Sequence, residues 1–171
     1  PAGVIPASIT VLICPPGSFG ARIEASKSLF RKSAMNPVTI RPSEPSDIPA
    51  ITAIYAHHVL NGTASFEEEA PGEPEMAERR AGVLDAGFPY IVAERDGVVL
   101  GYAYLSKYRP RSAYRFTVEN SIYIAHDAIR QGIGRALMAE LLRVAEAGPW
   151  KQMMAVISDP ASGSEAMHAA F

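Results

Sequence analysis

The sequence has little of what is typical of secreted, membrane-spanning or nucleic-acid-binding chains. Its 171 residues include one cysteine, Cys14, which excludes a disulfide within the chain and leads us to expect a reducing, cytoplasmic compartment. No apolar run is long enough to span a membrane, and no basic region precedes "ASITVLICPPGSFGA" as a signal peptide requires. With 16 basic and 18 acidic residues, the net charge of −2 favours neither nucleic acid nor an anionic membrane as a partner.

Several catalytic and nucleotide-binding motifs are also absent. There is no G-x-x-x-x-G-K-[ST] phosphate loop, no G-x-G-x-x-G after the first predicted strand and no G-x-S-x-G of a hydrolase. His57 and His58 are adjacent and His126 is isolated, so the histidines lack metal-ligand spacing and we predict no metal site.

The chain divides near Met35. Residues 1–34 cluster Pro, Gly and Ser without a sustained period, and we interpret them as a disordered N-terminal extension. The alternative is an N-terminal arm packed on the domain. Residues 35–171 have a regular pattern and are predicted to form one domain.

This domain alternates strand and helix patterns. A strand "VTIRP" precedes a helix over "IPAITAIYAHHVLN", which Ser46-Asp47 can cap, and a more polar helix "EPEMAERRAGVLDAG" follows. Asp96-Gly97 joins two strands in "YIVAERDGVVLGYAYLSKY", and after them come a strand "RFTVENSIYIA", a helix "GRALMAELLRVAEA", a strand "KQMMAVIS" and a helix "GSEAMHAAF". The order predicts an α/β fold with a mixed sheet and helices on both faces.

One turn in this pattern is suited to binding phosphate. A strand leads into "RQGIGRAL" and then a helix, whose free first-turn amides and positive dipole end attract anions. Gly132 and Gly134 let the backbone approach a ligand closely, and Arg130 and Arg135 can add charge. A glycine turn with no ligand is the alternative.

The order of seven segments resembles the GCN5-related N-acetyltransferase (GNAT) family, in particular its phosphinothricin and methionine sulfoximine acetyltransferase branch. The segments lie within residues 38–171 and read "RPSEPSDIPAITAIY", "TASFEEE", "YIVAERDGVVLGYAYL", "AYRFTVENSIYI", "QGIGRALMAELL", "QMMAVIS" and "AMHAAF". The run AY-x-x-TVE-x-S-x-Y is the most specific of these features. The resemblance implies the GNAT acyl-CoA N-acyltransferase fold, acetyl-CoA as co-substrate and a homodimer.

The resemblance also implies where acetyl-CoA binds. It places Ile122, Tyr123 and Ile124 beside the pantetheine arm, and a run of six residues at the pyrophosphate: Arg130, Gln131, Gly132, Ile133, Gly134 and Arg135. The family pattern R/Q-x-x-G-x-G/A puts Ile129 at its first position in the usual frame. A frame shifted by two positions, Gln131-x-x-Gly134-x-Ala136, does fit.

Acetyl transfer to an amine needs a base, because an alkylamine is mostly protonated at neutral pH. Glu119 lies on the strand that precedes the turn and is the best candidate, provided that burial raises its pKa from about 4.3. The alternative is a structural ion pair, for example with Arg115. His168 is the second candidate, since the resemblance places the histidine of an "MH" pair in the active site; its alternative is a partly exposed helix histidine.

The segment "SKYRPRSAYRF" is a candidate acceptor-binding loop. It brings together Arg109, Arg111, Tyr114 and Arg115, and arginine binds carboxylate or phosphinate groups through paired hydrogen bonds. The resemblance adds Phe66 to the pocket and implies a small amino acid with an anionic or tetrahedral side group. A solvated loop is the alternative for the arginines.

The sequence thus predicts an acetyl-CoA-dependent N-acetyltransferase that acts on the amino group of a small amino acid analogue by direct attack, assisted by a general base. The alternatives are an acyl-CoA-binding or regulatory module without turnover and an acetyltransferase of protein N-termini or lysines. The resembling proteins continue with two further strands beyond the segment equivalent to "AMHAAF". We therefore expect this polypeptide to lack the last two strands and to be marginally stable or inactive.

Overall fold

A computed structural model describes residues 10–13, 36–62, 64–158 and 163–171. Within these ranges the strands are β1 Thr10–Ile13, β2 Thr39–Pro42, β3 Tyr90–Arg95, β4 Val98–Lys107, β5 Thr117–Ile124 and β6 Gln152–Ile157, and the helices are α1 Ile48–Asn61, α2 Glu73–Asp85, α3 Ile133–Ala147 and α4 Gly163–His168. The predicted disordered extension, residues 1–34, lies outside the described residues except for β1. In the described part of the chain, no helix has both the length and the apolar character needed to cross a membrane.

The strands form one mixed sheet. Their order is β1-β6-β5-β4-β3-β2, and every neighbouring pair is antiparallel except β5 and β6, which run parallel. The predicted fold class is confirmed, and each predicted helix and strand of residues 35–171 is present.

The β3–β4 hairpin turns at Asp96-Gly97, as predicted. Both residues have positive φ angles, 54° and 78°. A two-residue turn with this geometry matches the twist of the flanking strands, and an Asp-Gly pair adopts it at little cost.

The start of α1 differs from the prediction in its chemistry. The helix begins at Ile48, directly after Asp47, but the Asp47 side chain makes no capping bond to it. Its carboxylate instead accepts hydrogen bonds from Arg41 Nη1 and Nη2, at 2.8 Å each, and from the Glu44 amide at 2.7 Å. A paired guanidinium is a stronger partner than a first-turn amide, because its two bonds are charge-assisted. Asp47 therefore attaches α1 to β2.

Two apolar cores lie on opposite faces of the sheet. Because strand residues alternate, Ile91 and Ala93 of β3 face α3 while Tyr90 and Val92 face α1 and α2. The sheet packs too closely at Gly101 of β4 for a larger residue. A Cβ there would lie 2.8 Å from Ile124 Cδ1 and 2.9 Å from the Tyr123 carbonyl oxygen. The sheet thus separates an α3 side from an α1/α2 side.

Candidate active site

Glu119 lies near the start of β5, opposite Ser106 of β4 and Met154 of β6. It is half-buried, and burial raises the pKa of its carboxyl, an effect that the charge of Arg109 partly opposes. In the described ranges no side chain forms an ion pair or hydrogen bond with this carboxylate. Arg115, the alternative partner, donates to the Ser112 carbonyl and stacks on Phe116 instead. Glu119 is therefore a half-buried carboxylate with no structural partner in the described region.

His168 is buried at the end of α4, with 7% of its surface exposed. Its Nε2 lies 3.0 Å from Asn120 Oδ1 and its Nδ1 lies 2.8 Å from the Ser164 carbonyl oxygen. Burial lowers the pKa of the imidazole, and the bond to Ser164 opposes this change. The predicted catalytic pair is thus brought to one region, with His168 bonded to the residue next to Glu119.

Both nitrogens of His168 face hydrogen-bond acceptors. The Asn120 amide group donates to the Met154 carbonyl oxygen at 3.1 Å, so its Oδ1 faces His168 and can only accept. Ser164 Oγ lies 3.4 Å from Nδ1 and can donate to it. Nδ1 also faces an acceptor, the Ser164 carbonyl oxygen at 2.8 Å, so a neutral ring can donate to only one of the two acceptors, whereas an imidazolium donates to both.

A cavity of about 370 Å³ opens where β5 and β6 separate. Pairing between these strands ends at Asn120–Ala155, although β5 continues to Ile124 and β6 to Ile157. The cavity brings together five of the predicted residues: Phe66, Glu119, Ile122, Tyr123 and His168. It connects the predicted base to the edge of the strand that is predicted to hold pantetheine.

The predicted pyrophosphate residues, 130–135, lead into the first turn of α3, which begins at Ile133. Arg130 and Gly132 have left-handed backbone conformations, with φ angles of 61° and 83°, and no side chain caps the helix. A Cβ on Gly132 would meet no atom within 4 Å, so the backbone there is open. Uncapped amides at the positive end of a 15-residue helix fit a pyrophosphate group.

Two side chains around this turn, those of Gln131 and Arg135, contact other parts of the protein. Gln131 accepts a hydrogen bond from Arg95 and donates one to the Asp127 carbonyl, so its side chain holds the loop. Arg135 stacks on Phe171, and Ile129 is 55% exposed. The backbone amides, rather than Gln131 or Ile129, are available to a ligand.

The predicted acceptor loop lies apart from the residues that line this cavity. Arg109 stacks on Tyr108 with its guanidinium 5.0 Å from the ring centre, and Tyr114 contacts the same ring edge-on at 5.7 Å. Arg111 is exposed and precedes the short 3-10 turn Ser112–Tyr114. Of these three residues, only Arg109 affects the cavity, through its charge near Glu119.

Two tyrosines of the α1/α2 face, Tyr55 and Tyr104, line the cavity beside the predicted Tyr123 and are not among the residues that the sequence predicted. Tyr55, Tyr104 and Tyr123 line the cavity, and Tyr55 meets Tyr123 edge-on at 5.1 Å between ring centres. The signal was available in the two-residue period of "YAY" and "ENSIY", which puts Tyr104 and Tyr123 on the same face as Glu119.

Glu67 is a second carboxylate in the cavity wall, with a different environment. It accepts hydrogen bonds from Arg79 and from Tyr55 Oη, and the bond from Arg79 lowers its pKa. A carboxylate that stays ionised and paired is a weak base. Glu119, rather than Glu67, therefore has the environment of a general base.

The three remaining histidines make structural contacts. His57 stacks on His126 with ring centres 4.5 Å apart, and His58 Nε2 lies 2.8 Å from the Ile124 carbonyl oxygen. No group of three or more His, Cys, Asp or Glu residues within the described ranges is arranged to hold a metal ion.

Comparison with known proteins gives matches to acetyltransferases. The sequence model of the acetyltransferase (GNAT) family matches residues 52–169. A phosphinothricin N-acetyltransferase of Alcaligenes faecalis is 59% identical over 133 residues, which are 77% of this chain and 68% of that protein. The L-methionine sulfoximine/L-methionine sulfone acetyltransferase of Salmonella typhimurium is 33% identical over 132 residues, 77% of each chain.

A solved structure extends the match to the fold and the co-substrate. The GNAT superfamily phosphinothricin acetyltransferase from Sinorhizobium meliloti, in complex with acetyl-CoA, is 46% identical with a TM-score of 0.76. The match covers 78% of this chain and 72% of that one. Together with the family match over residues 52–169, this shows that the chain belongs to the acetyltransferase (GNAT) family.

Proposed function

We propose that the protein is an acetyl-CoA-dependent N-acetyltransferase whose acceptor is a small amino acid analogue of the phosphinothricin or methionine sulfoximine type. The observation that carries the proposal is the half-buried Glu119, without a structural partner in the described region, in a cavity that leads toward the open amides of α3. The relatives named phosphinothricin and methionine sulfoximine acetyltransferases support this acceptor class.

Acetyl-CoA, when bound, supplies an acetyl group activated as a thioester. The uncapped amides of Ile133 and Gly134 would hold its pyrophosphate, with Arg130 adding positive charge, and the edge of β5 from Ile122 to Ile124 would hold its pantetheine arm. These residues fit the co-substrate because β5, still paired with β4, is no longer paired with β6 beyond Asn120, and because Gly132 presents no side chain.

Glu119 has the role of general base. A raised pKa brings a carboxylate closer to the pKa of an ammonium group, so proton transfer from the acceptor amine is easier than to a free Glu. Once the amine is neutral, its nitrogen would attack the thioester carbonyl directly, so that the amide C–N bond forms, the C–S bond breaks, and CoA leaves as a thiolate that takes up a proton. His168 is bonded through Nε2 to Asn120 and through Nδ1 to the Ser164 carbonyl, so in this proposal it orients β5 and α4 beside Glu119.

The acceptor's α-carboxylate is proposed to bind at Arg109. Among the described residues, no carboxylate forms an ion pair with the Arg109 guanidinium, which lies near enough to Glu119 to affect its pKa. The carboxylate and the amine of an α-amino acid are attached to the same carbon. Arg109 could therefore bind the carboxylate while Glu119 accepts a proton from the amine. Arg111, Tyr114 and Phe66 remain predicted members of the acceptor site.

The test combines binding and turnover. Calorimetry with acetyl-CoA and a thiol-release assay with phosphinothricin and methionine sulfoximine are expected to give binding and acceptor-dependent turnover. Binding without turnover on either acceptor would favour an acyl-CoA-binding module, and absence of binding would contradict the proposal.

Two further properties belong to this proposal. A cytoplasmic location agrees with a metabolic co-substrate such as acetyl-CoA and with the single cysteine. A homodimer is what the family resemblance implies, and light scattering at several protein concentrations measures it.

A further inference from the structure

The loop that joins β5 to α3, residues 125–132, contains a strained backbone conformation. Arg130 and Gly132, the two neighbours of Gln131, both have left-handed conformations, with φ angles of 61° and 83°. Glycine adopts this conformation freely, whereas the Cβ of Arg130 crowds its own backbone there. A residue keeps such a conformation when its surroundings hold it in place. The loop therefore needs contacts beyond its own backbone to keep this shape.

Gln131 supplies such contacts through both ends of its amide group. Its Nε2 donates to the Asp127 carbonyl oxygen at 3.2 Å, which ties the loop to itself. Its Oε1 accepts a hydrogen bond at 2.7 Å from Nη1 of Arg95, the last residue of β3. This second bond is charge-assisted and joins positions 36 residues apart in the sequence. It attaches the loop to the β3–β4 hairpin.

Arg95 makes this bond although its position is unfavourable for a guanidinium. Its Nε is buried and has no hydrogen-bond partner in the described part of the chain. A buried charged donor without a partner is destabilising. The next two residues, Asp96 and Gly97, are exposed, so solvent lies close to this end of the hairpin. The bond to Gln131 offsets the unfavourable burial and keeps the guanidinium beside the loop.

We propose that Arg95 is a positioning residue for acetyl-CoA, because its bond to Gln131 holds residues 127–132 in the shape that presents the first-turn amides of α3 to the pyrophosphate. The inference rests on the proposed function and deepens it by adding a residue of β3 that acts through Gln131. A loop that is ordered before binding loses less conformational entropy when the ligand binds, so the bond increases affinity for acetyl-CoA.

Two substitutions remove the bond from opposite ends. Arg95→Met removes the donor, and Gln131→Met removes the acceptor without changing the charge of the protein. Each is expected to raise the Kd for acetyl-CoA about fivefold in calorimetry, because the loop must be ordered on binding. The double variant is expected to bind no more weakly than Gln131→Met alone, since the two changes remove the same bond. Normal binding by Gln131→Met, or effects that multiply in the double variant, would overturn the proposal.

Turnover separates positioning from a general loss of structure. In Arg95→Met, KM for acetyl-CoA is expected to rise about fivefold, while kcat and KM for the acceptor change by less than about twofold. Arg95→Lys keeps a charged donor and is expected to recover part of the affinity. Arg143→Met is the matched control, because it removes a 67% exposed arginine from α3, and it is expected to change none of these values. An equal rise in both KM values, with a lower melting temperature, would show a structural role and overturn the proposal.

The outcomes separate this inference from the proposed function. Calorimetry needs no acceptor, so a protein that binds acetyl-CoA but acetylates neither phosphinothricin nor methionine sulfoximine contradicts the proposed function while the Kd values still test Arg95. If the unmodified protein acetylates an acceptor and the variants keep its Kd for acetyl-CoA, the inference is wrong and the proposed function stands. If the unmodified protein does not bind acetyl-CoA, both are wrong.

Discussion

Glu119 and Asn120 are neighbours on β5 that face opposite sides of the sheet and have different roles. Asn120 is 7% exposed, and both ends of its amide are engaged, one by Met154 and the other by His168. Glu119 is half-buried and has no bonded partner in the described region. The hydrogen-bonded amide of Asn120 holds β5 in place. The carboxylate of Glu119 beside it has a raised pKa and can accept a proton.

Replacing Glu119 by Gln tests the role of the base. The change keeps the shape of the side chain and removes its ability to take a proton, so kcat is expected to fall by about 10²–10⁴-fold. Calorimetry is expected to give an unchanged Kd for acetyl-CoA, since the open amides lie on α3. Loss of acetyl-CoA binding together with turnover would instead assign Glu119 a structural role.

The pH profile of kcat/KM provides a second test at this residue. Because burial raises the pKa of Glu119, the rate is expected to rise with pH through a value above 4.5, the ordinary pKa of a Glu side chain. Arg109 opposes this shift, so Arg109→Met is expected to move the acidic limb to still higher pH. A limb that stays in place, or moves to lower pH, would contradict the assignment of Glu119 as the titrating base.

Among the elements, β2 and α1 are joined by a partly buried ion pair between Arg41 and Asp47. Asp47 is 5% exposed, and Arg41 bonds it as well as Glu94 of β3 at 2.6 Å. This arrangement joins the edge of the sheet to the start of the helix that carries Tyr55. The position of Tyr55 in the cavity wall therefore depends on the Arg41–Asp47 contact, although neither of those two residues lines the cavity.

Asp47→Asn is expected to lower the free energy of unfolding by about 2–4 kcal/mol, because it leaves a partly buried guanidinium with one fewer carboxylate. The bond from Arg41 lowers the pKa of Asp47, so its stabilisation is present above the unfolded-state value near 3.9 and is lost as pH falls through the lower folded value. Chemical denaturation of both forms between pH 3 and 7 measures the difference. Asp85→Asn, at an exposed carboxylate at the end of α2, is expected to change stability by less than about 0.5 kcal/mol. An equal loss in the two variants would contradict the role of the Arg41 pair.

The elements that sequence reasoning predicted are those specified by local chemistry. The Asp96-Gly97 turn needs two left-handed residues, and α3 repeats apolar residues at helical spacing, so neighbouring positions alone determine both. The separation of β5 from β6 depends on pairing between residues more than 30 positions apart, from Thr117–Gln152 to Asn120–Ala155. Asp47 was predicted as a cap for the same reason, since its partner Arg41 is recognisable only once β2 and α1 are packed.

For the molecule as a whole, the sheet separates the two apolar cores, and it is open where β5 and β6 part beyond Asn120. The α3 side carries the predicted pyrophosphate turn, and the α1/α2 side carries Glu119 and the tyrosines. Residues of both faces line the cavity that contains Glu119, because β5 and β6 separate beyond Asn120. The two reactants can therefore approach from opposite faces and meet where the strands part.

Hydrogen exchange with and without acetyl-CoA tests this arrangement over the whole chain. A ligand at 100 times its Kd stabilises the folded state by about 2.7 kcal/mol, so global unfolding slows everywhere that exchange requires it. Local protection beyond that is expected at the first turn of α3 and at the free edge of β5 from Ile122 to Ile124, whereas the exposed face of α2 is expected to gain none.

Gly132→Ala is expected to weaken acetyl-CoA binding, because it strains a residue at φ 83° by about 1 kcal/mol and adds a methyl group to the open backbone. Gly82→Ala adds the same methyl group on α2 and is expected to bind acetyl-CoA normally. Protection centred on α2 instead of α3 would reverse the assignment of the two faces.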